Sequence, residues 1–201
     1  MFCFNGQSCH VRYQTKPYWM SSKTWAPQMA QGGIFDTVAG SSDFATANRV
    51  YVKYCTSDLW SGDTGPASDA TFGYVFRGAR VAAAVITALI EDKGMGQQPG
   101  TRLLFGGCSA GAIGAMNNLD AVAAMVPPTV RIQGFLDAAA LVDIDPAGWP
   151  WSPDLLPLQS LVAAMVAAVQ PTFDSECADR YQGTEAWKCL WGCVAIRRGC
   201  A

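Results

Sequence analysis

The stretch Gly107-Cys108-Ser109-Ala110-Gly111 constrains the fold of this chain most, because of the segments on either side of it. The apolar run 101–105 precedes it and suits a buried strand, and the Ala-rich segment 112–118 that follows can begin a helix. A sharp strand-to-helix turn brings neighbouring backbone close to its central residue, so small residues are needed on both sides. Gly107 and Gly111 meet this demand. The pattern predicts a nucleophile elbow centred on Ser109, with an ordinary Gly-rich turn as the alternative.

The segments around this turn predict alternating strands and helices. We expect strands at 49–55, 101–105 and 130–137, and helices at 74–93, after Ser109 and at 158–170, with a Pro- and Trp-rich loop at 146–157. Such alternation indicates an α/β fold with a mostly parallel sheet, helices on both faces and a site at the carboxyl ends of the strands. No repeat or low-complexity linker divides the chain, so a single domain over 1–201 is expected.

Composition narrows the choice of partners. The chain has 201 residues, of which 50% are hydrophobic and 15% charged, enough to bury a substantial core. A net charge of −2 with scattered Lys and Arg disfavours a nucleic-acid partner. No run reaches about 18 uninterrupted apolar residues, which disfavours a membrane span. We expect a monomer that needs no cofactor.

The eight cysteines favour an oxidising compartment and a disulfide framework. A zinc site built on Cys3, Cys9 and His10 would lack a nearby fourth ligand, and the late cysteines do not form two CxxC pairs, so no metal is expected. The first residues contain neither a basic region nor an apolar run, and therefore do not resemble a signal peptide. The cysteine content thus favours a secreted protein, whereas the first residues do not.

A series of irregular motifs in a fixed order carries a family resemblance. Its members are Cys3-Phe4-Asn5, Cys9, Arg12-Tyr13, Tyr54-Cys55-Thr56-Ser57-Asp58-Leu59-Trp60-Ser61-Gly62, Phe76-Arg77-Gly78-Ala79, the Ser109 turn, Gly134-Phe135-Leu136-Asp137 and Glu185-Ala186-Trp187-Lys188-Cys189-Leu190-Trp191-Gly192. From Cys3 to Gly192 the chain resembles the pectin acetylesterase/Notum family of serine carboxylesterases. The resemblance implies an α/β-hydrolase-like fold that hydrolyses O-acyl esters.

Carried over residue by residue, the resemblance makes Ser109 the nucleophile and the Ala110 N–H an oxyanion donor, within an elbow formed with Gly107, Cys108 and Gly111. It implies secretion, and a substrate that is an acylated glycan or a lipidated protein. The family's secreted habit and the cysteine count also suggest a Cys3–Cys9 disulfide, with Cys55 left free.

The chain departs from the family pattern at both ends. The family's Gly-rich oxyanion turn lies before the Cys3 position, and its catalytic Asp and His lie beyond the last motif, where 193–201 differ. We therefore expect a chain truncated at both ends, with no acid or base of a triad and little activity by itself. His10, the single histidine, is expected to be exposed or capped rather than catalytic, and Asp137 to be structural.

Three hypotheses follow from these departures. The first is a carboxylic ester hydrolase acting through Ser109, and the second is a non-catalytic protein that binds acyl groups or glycans. The third is a fragment of a gene that does not fold stably, because an incomplete sheet exposes an unpaired edge. A downstream reading frame with an Asp and a His would favour the enzyme.

Overall fold

The structure is a computed structural model that describes residues 3, 6–38, 40, 42–139 and 158–190. Its α-helices are α1 (Gly6–Thr15), α2 (Gly78–Glu91), α3 (Ala110–Met125), α4 (Leu158–Val169) and α5 (Ser175–Arg180). Its strands are β1 (Arg102–Cys108) and β2 (Arg131–Asp137), and 3₁₀ helices span Pro17–Trp19, Gly33–Phe35, Asp69–Thr71 and Gly183–Leu190. The order α2, β1, α3, β2 is the alternation of an α/β protein.

The two strands are parallel and joined by α3. Arg102 pairs with Arg131 at one end of the register, and Cys108 pairs with Asp137 at the other. Both strands therefore finish at the same edge of the sheet, where α3 begins. A parallel pair needs a crossover of this kind, because the chain must return to the starting edge before the second strand.

One apolar cluster holds the helices against the sheet. Buried residues of α2, α3 and the turn before β2 form it, and side chains of both strands pack against them: Ile86, Val122, Val126 and Val130, with Leu103, Phe105 and Ile132. In β1 the half-buried residues alternate with exposed ones, as a strand covered on one face requires. Within the described residues the helices thus cover one face of the sheet.

A second cluster packs α4 and the 3₁₀ helix Gly183–Leu190 against the start of α3. It includes Val162, Met165 and Val169 of α4, together with Phe76, Ile113 and Leu190. The start of α3 therefore packs on this cluster, whereas Val122, later in α3, and Val126, directly after it, belong to the sheet-side cluster. This double packing fixes the position of the helix that begins directly after Ser109.

The helices and strands around Ser109 are confirmed, with small shifts of their ends. The strand expected at 49–55 is wrong: this segment has no regular secondary structure and pairs with no described strand. The local loop expected between Cys3 and Cys9 is largely the first turn of α1. The loop expected at 146–157 lies outside the described residues. No helix among the described residues is both long and apolar enough to cross a membrane.

The cysteines are paired differently from the expectation. Cys177 and Cys189 form a disulfide that ties α5 to the following 3₁₀ helix. Cys3 and Cys9 are buried free thiols, so the predicted disulfide is absent, although the two thiols are close enough for each to shift the pKa of the other. Forming it would require an oxidant to remove two electrons. Cys55 is free, as expected. The described part of the chain contains no group of three metal-ligating His, Cys, Asp or Glu residues.

Candidate active site

Ser109 lies at the junction of β1 and α3 with φ 56° and ψ −120°. A positive φ is unfavourable for a residue with a Cβ and costs about 1–3 kcal/mol, so surrounding contacts must hold it. The Ser109 N–H donates to the carbonyl of Asp137 at 2.9 Å, and the Ser109 carbonyl accepts from the N–H groups of Ala112 and Ile113. The end of β2 and the first turn of α3 therefore fix the strained turn that the sequence predicts.

The small residues of the turn differ in their importance. A Cβ on Gly107 would stand 2.6 Å from the carbonyl carbon of Gly111, so nothing larger than glycine fits there without movement. A Cβ on Gly111 would meet no described atom within 4 Å. The expectation of a steric need on both sides is thus correct at Gly107 and wrong at Gly111. Gly106, which the sequence did not single out, packs directly against the backbone of Phe135.

The hydroxyl of Ser109 is accessible, and a backbone donor lies beside it. Ser109 is exposed, and its side chain has no hydrogen-bond partner among the described residues. Ala110 is the first residue of α3, so its N–H has no carbonyl of the helix to bind. The positive end of the helix dipole adds to this donor. The arrangement can stabilise negative charge that develops next to the serine oxygen.

Cys108 and Asp137 form a pair beside the serine. They are opposite each other in the register of the two strands, and the proximity of the Asp137 carboxylate raises the pKa of the exposed Cys108 thiol. A raised pKa lowers the fraction of thiolate, which is the nucleophilic form of cysteine. Cys108 is therefore held as a thiol. Asp137 supports the turn through its carbonyl, which accepts from the Ser109 N–H, in agreement with the structural role expected of it.

His10 lies on the exposed surface of α1. Its Nε2 accepts a hydrogen bond from Nε2 of Gln14, one helical turn further along, at 2.9 Å. The described hydrogen bonds of His10 therefore lead to Gln14 and not to Ser109. This agrees with the expectation of an exposed, capped histidine.

A buried carboxyl group, that of Asp58, lies in the loop before α2. Asp58 is fully buried and accepts hydrogen bonds from Thr56 and from the N–H groups of Trp60 (3.0 Å) and Gly78 (2.7 Å). Burial raises the pKa of its carboxyl group, against the opposing effect of these hydrogen bonds. Asp58 thereby joins the loop around Trp60 to the start of α2.

The same loop is bound to α3 by two buried asparagines. Asn118 Nδ2 donates to the carbonyl of Trp60 at 2.9 Å, and Asn117 Nδ2 donates to Ser61 Oγ at 3.2 Å. Gly114 allows Trp60 to lie directly on the helix. Sequence reasoning noted the motif around Asp58 but missed these partners, because they lie 56 or more residues away along the chain.

An exposed serine in a left-handed turn between a parallel strand and a helix defines the α/β-hydrolase-like class of proteins. The profile of the pectinacetylesterase family matches residues 1–198 of the chain. The chain therefore belongs to the pectinacetylesterase family. The expected fold class and family are both confirmed.

Individual relatives agree with this assignment. The chain is 28% identical to palmitoleoyl-protein carboxylesterase notum1 of Xenopus laevis, over 95% of this chain and 40% of that protein. It is 32% identical to the NOTUM carboxylesterase of Drosophila melanogaster, over 94% of this chain and 28% of that protein. A crystal structure of the Wnt deacylase Notum from Drosophila superposes with a TM-score of 0.87 at 29% identity, covering 96% of this chain and 56% of that one. The chain thus spans well under half the length of these two carboxylesterases.

Proposed function

We propose that Ser109 is the nucleophile of a carboxylic ester hydrolase and that the chain supplies the acyl-accepting part of its active site. The observation that carries this proposal is the strained, exposed serine at the start of α3, next to the Ala110 N–H, which donates to no described residue. Backbone strain of this kind costs stability, and proteins retain it mainly at functional sites.

The proposed reaction is acyl transfer in two steps. Ser109 Oγ attacks the ester carbonyl carbon, the alcohol leaves, and water then releases the acid from the acyl-serine. The Ala110 N–H donates to the oxyanion formed in each step. A base must take the serine proton, and His10 is engaged with Gln14. We therefore assign proton removal to a group outside the described residues. Without such a base, turnover falls by about 10⁶.

The proposed substrate is an O-acyl ester carried by a polysaccharide or by an acylated protein. The family description supports the first carrier, and the relatives named palmitoleoyl-protein carboxylesterases support the second. The Cys177–Cys189 disulfide supports action in the secretory pathway or outside the cell. We propose that the chain acts as a monomer, which sedimentation of the purified protein would test.

Turnover of p-nitrophenyl acetate tests this function, with imidazole supplied as a base from solution. We expect rates barely above background without imidazole, and a Ser109-dependent excess over the free imidazole reaction when it is added. Ser109→Ala should remove the excess, and His10→Ala should leave it unchanged. Substantial turnover without imidazole that collapses in His10→Ala would show instead that His10 is the base.

A non-catalytic acyl-binding protein is the second candidate. The bond between His10 and Gln14 favours it, because the single histidine of the chain is held on an exposed helix face. This candidate predicts equal rates for the unmodified chain and for Ser109→Ala, with or without imidazole. It also predicts that both proteins bind a non-hydrolysable acyl amide with the same affinity.

A further inference from the structure

Left-handed backbone conformations concentrate around the start of α3. Seven described residues other than glycine have a positive φ, and Ser109 and Ala138 are two of them. Three more lie in the loop 57–61, at Ser57, Leu59 and Trp60, with φ between 52° and 62°. A positive φ is rare for a bulky side chain such as Leu or Trp, and it persists where surrounding contacts over-determine it. The loop 57–61 is therefore a second strained segment, in addition to the turn at Ser109.

Buried hydrogen bonds hold this loop in its strained form. All five of its residues are buried. The Leu59 N–H donates to the Tyr54 hydroxyl at 2.7 Å, and the Trp60 N–H donates to the Asp58 carboxyl at 3.0 Å. The Ser61 N–H donates to the Asp58 carbonyl at 3.1 Å. These bonds make the loop a rigid surface for the helix that packs against it.

The loop packs on the face of α3 that begins with Ala110. Ala110, Gly114 and Asn118 follow one another at intervals of four residues and so share one face of the helix. A Cβ on Gly114 would overlap the Trp60 side chain and would stand 2.8 Å from the carbonyl oxygen of Leu59. One turn further along, Asn118 Nδ2 donates to the Trp60 carbonyl at 2.9 Å. The strained loop thus contacts α3 one turn and two turns after Ala110.

We propose that the loop 57–61 positions the oxyanion donor beside Ser109, and that Gly114 is the positioning residue through which it acts. The inference rests on the proposed esterase function. The Ala110 N–H must lie about 2.7–3.1 Å from the oxyanion that it stabilises. Because the turns of a helix move together, the close approach of the loop to Gly114 sets the place of this N–H. A misplacement of about 1 Å can lower a rate about 100-fold.

Gly114→Ala tests the positioning through the acylation of Ser109 by p-nitrophenyl acetate, with imidazole as the base. The new Cβ would press on the loop, so we expect α3 to shift and the saturating rate of acylation to fall about 10- to 100-fold. The ester concentration at half saturation should change less than about twofold, because the Ala110 N–H acts mainly on the oxyanion. Val122→Ala, the matched control, truncates a buried residue of the same helix in the sheet-side cluster. It should lower stability and leave the acylation rate within about twofold.

The amide NMR signal of Ala110 reports the same displacement without any reaction. Gly114→Ala should shift this signal, and Val122→Ala should not. Asn118→Ala, eight positions from Ala110, removes a bond to the loop without adding volume; it should also shift the signal, and it serves if Gly114→Ala does not fold.

The two measurements separate the positioning from the chemistry. If the unmodified chain is not acylated at Ser109, the proposed function fails, whereas the amide signal still tests the positioning. An Ala110 signal that is unchanged in Asn118→Ala, or equal slowing of acylation in Gly114→Ala and Val122→Ala, would overturn the proposal.

Discussion

At Ser109 the sequence and the structure agree because neighbouring residues encode the turn itself. The turn follows from residues within five positions, and the carbonyl of Asp137 and the first turn of α3 then hold the positive φ. Long-range contacts set the rest of the surroundings. The partners of Asp58 and Asn117 depend on how distant segments pack, and no local pattern encodes them.

The two glycines of the turn provide a matched pair of variants. Gly107→Ala should lower the free energy of unfolding by about 1–3 kcal/mol, because the new Cβ would press on the backbone of Gly111. Gly111→Ala should be neutral or stabilise the chain by up to about 1 kcal/mol, since alanine favours a helix and the space is open. Urea unfolding measures both. Equal losses in the two variants would contradict the geometry of the turn.

The buried carboxyl of Asp58 predicts a pH dependence of stability. Its raised pKa means that the folded chain binds this proton more tightly than the unfolded chain does. The stabilisation is therefore complete below about pH 4 and is lost as the pH rises through the raised pKa, by at most about 1.4 kcal/mol per pH unit. Asp58→Asn should remove this part of the dependence of stability on pH. The part due to Asp120, whose pKa is raised by the contact with Asp174, should remain.

Urea unfolding between pH 4 and pH 8 tests the role of Asp58. Asp69→Asn, at an exposed carboxylate in the 3₁₀ helix Asp69–Thr71, is the matched control and should keep the slope of the unmodified chain. If Asp58→Asn kept that slope as well, Asp58 would not be the group responsible.

Among the elements, those rich in apolar residues were predictable from the sequence and those poor in them were not. The apolar residues of α2, α3 and α4 and the short runs of β1 and β2 indicate their structure directly. The segment 49–55 alternates as a strand does, but alternation describes only an extended chain, and a strand also needs a hydrogen-bonded neighbour. Tyr51 and Tyr54 instead pack on the aromatic rings of Phe35 and Trp60.

Helix α1 is the opposite case, a helix that the sequence did not predict. Its sequence is polar, with no apolar stripe, and only Cys9 and Arg12 are buried. Arg12 lies over the ring of Trp19, with 4.6 Å from Cζ to the ring centroid, and donates to Ser57 Oγ. A helix held by one thiol and one guanidinium leaves no periodic signal in the sequence.

The disulfide between α5 and the following 3₁₀ helix should add to stability. It closes a loop of about the length for which the chain-entropy model gives roughly 3 kcal/mol, with Cys177 and Cys189 separated by 12 positions. Mild reduction should therefore lower the urea midpoint. The Cys177→Ser/Cys189→Ser double variant should match the reduced chain and be insensitive to reductant. A midpoint unchanged by reduction would contradict this role.

Alkylation of the unreduced chain gives a separate test of the cysteine assignment. Cys55 and Cys108 should react as free thiols, and Cys177 and Cys189 should be protected. Cys3 and Cys9 should react only after unfolding, because both are buried thiols. A Cys3–Cys9 bridge in peptides from protein made in an oxidising compartment would restore the disulfide that the family resemblance suggested.

For the whole molecule, the family and the fold class could be predicted from the order of the motifs, whereas the packing of the loop 57–61 on α3 could not. That packing joins residues 56 or more positions apart, which come together only in the folded chain. The strand-to-helix turn at Ser109 was predictable because its small residues are neighbours in the sequence. The roles of Ser109 as nucleophile and of the Ala110 N–H as oxyanion donor stay predictions, and the proposed base lies outside the described residues.

The most direct test of the central claim is the position of an acyl group after reaction with a p-nitrophenyl ester, with imidazole supplied as the base. Peptide mass spectrometry should find an imidazole-dependent adduct on Ser109, and less on the neighbouring thiol of Cys108, because its raised pKa lowers the fraction of thiolate. Cys108→Ser should still be acylated at Ser109, and Ser109→Ala should carry no imidazole-dependent adduct on this turn. An adduct on Cys108 that persists in Ser109→Ala, with none on Ser109 in the unmodified chain, would contradict the account.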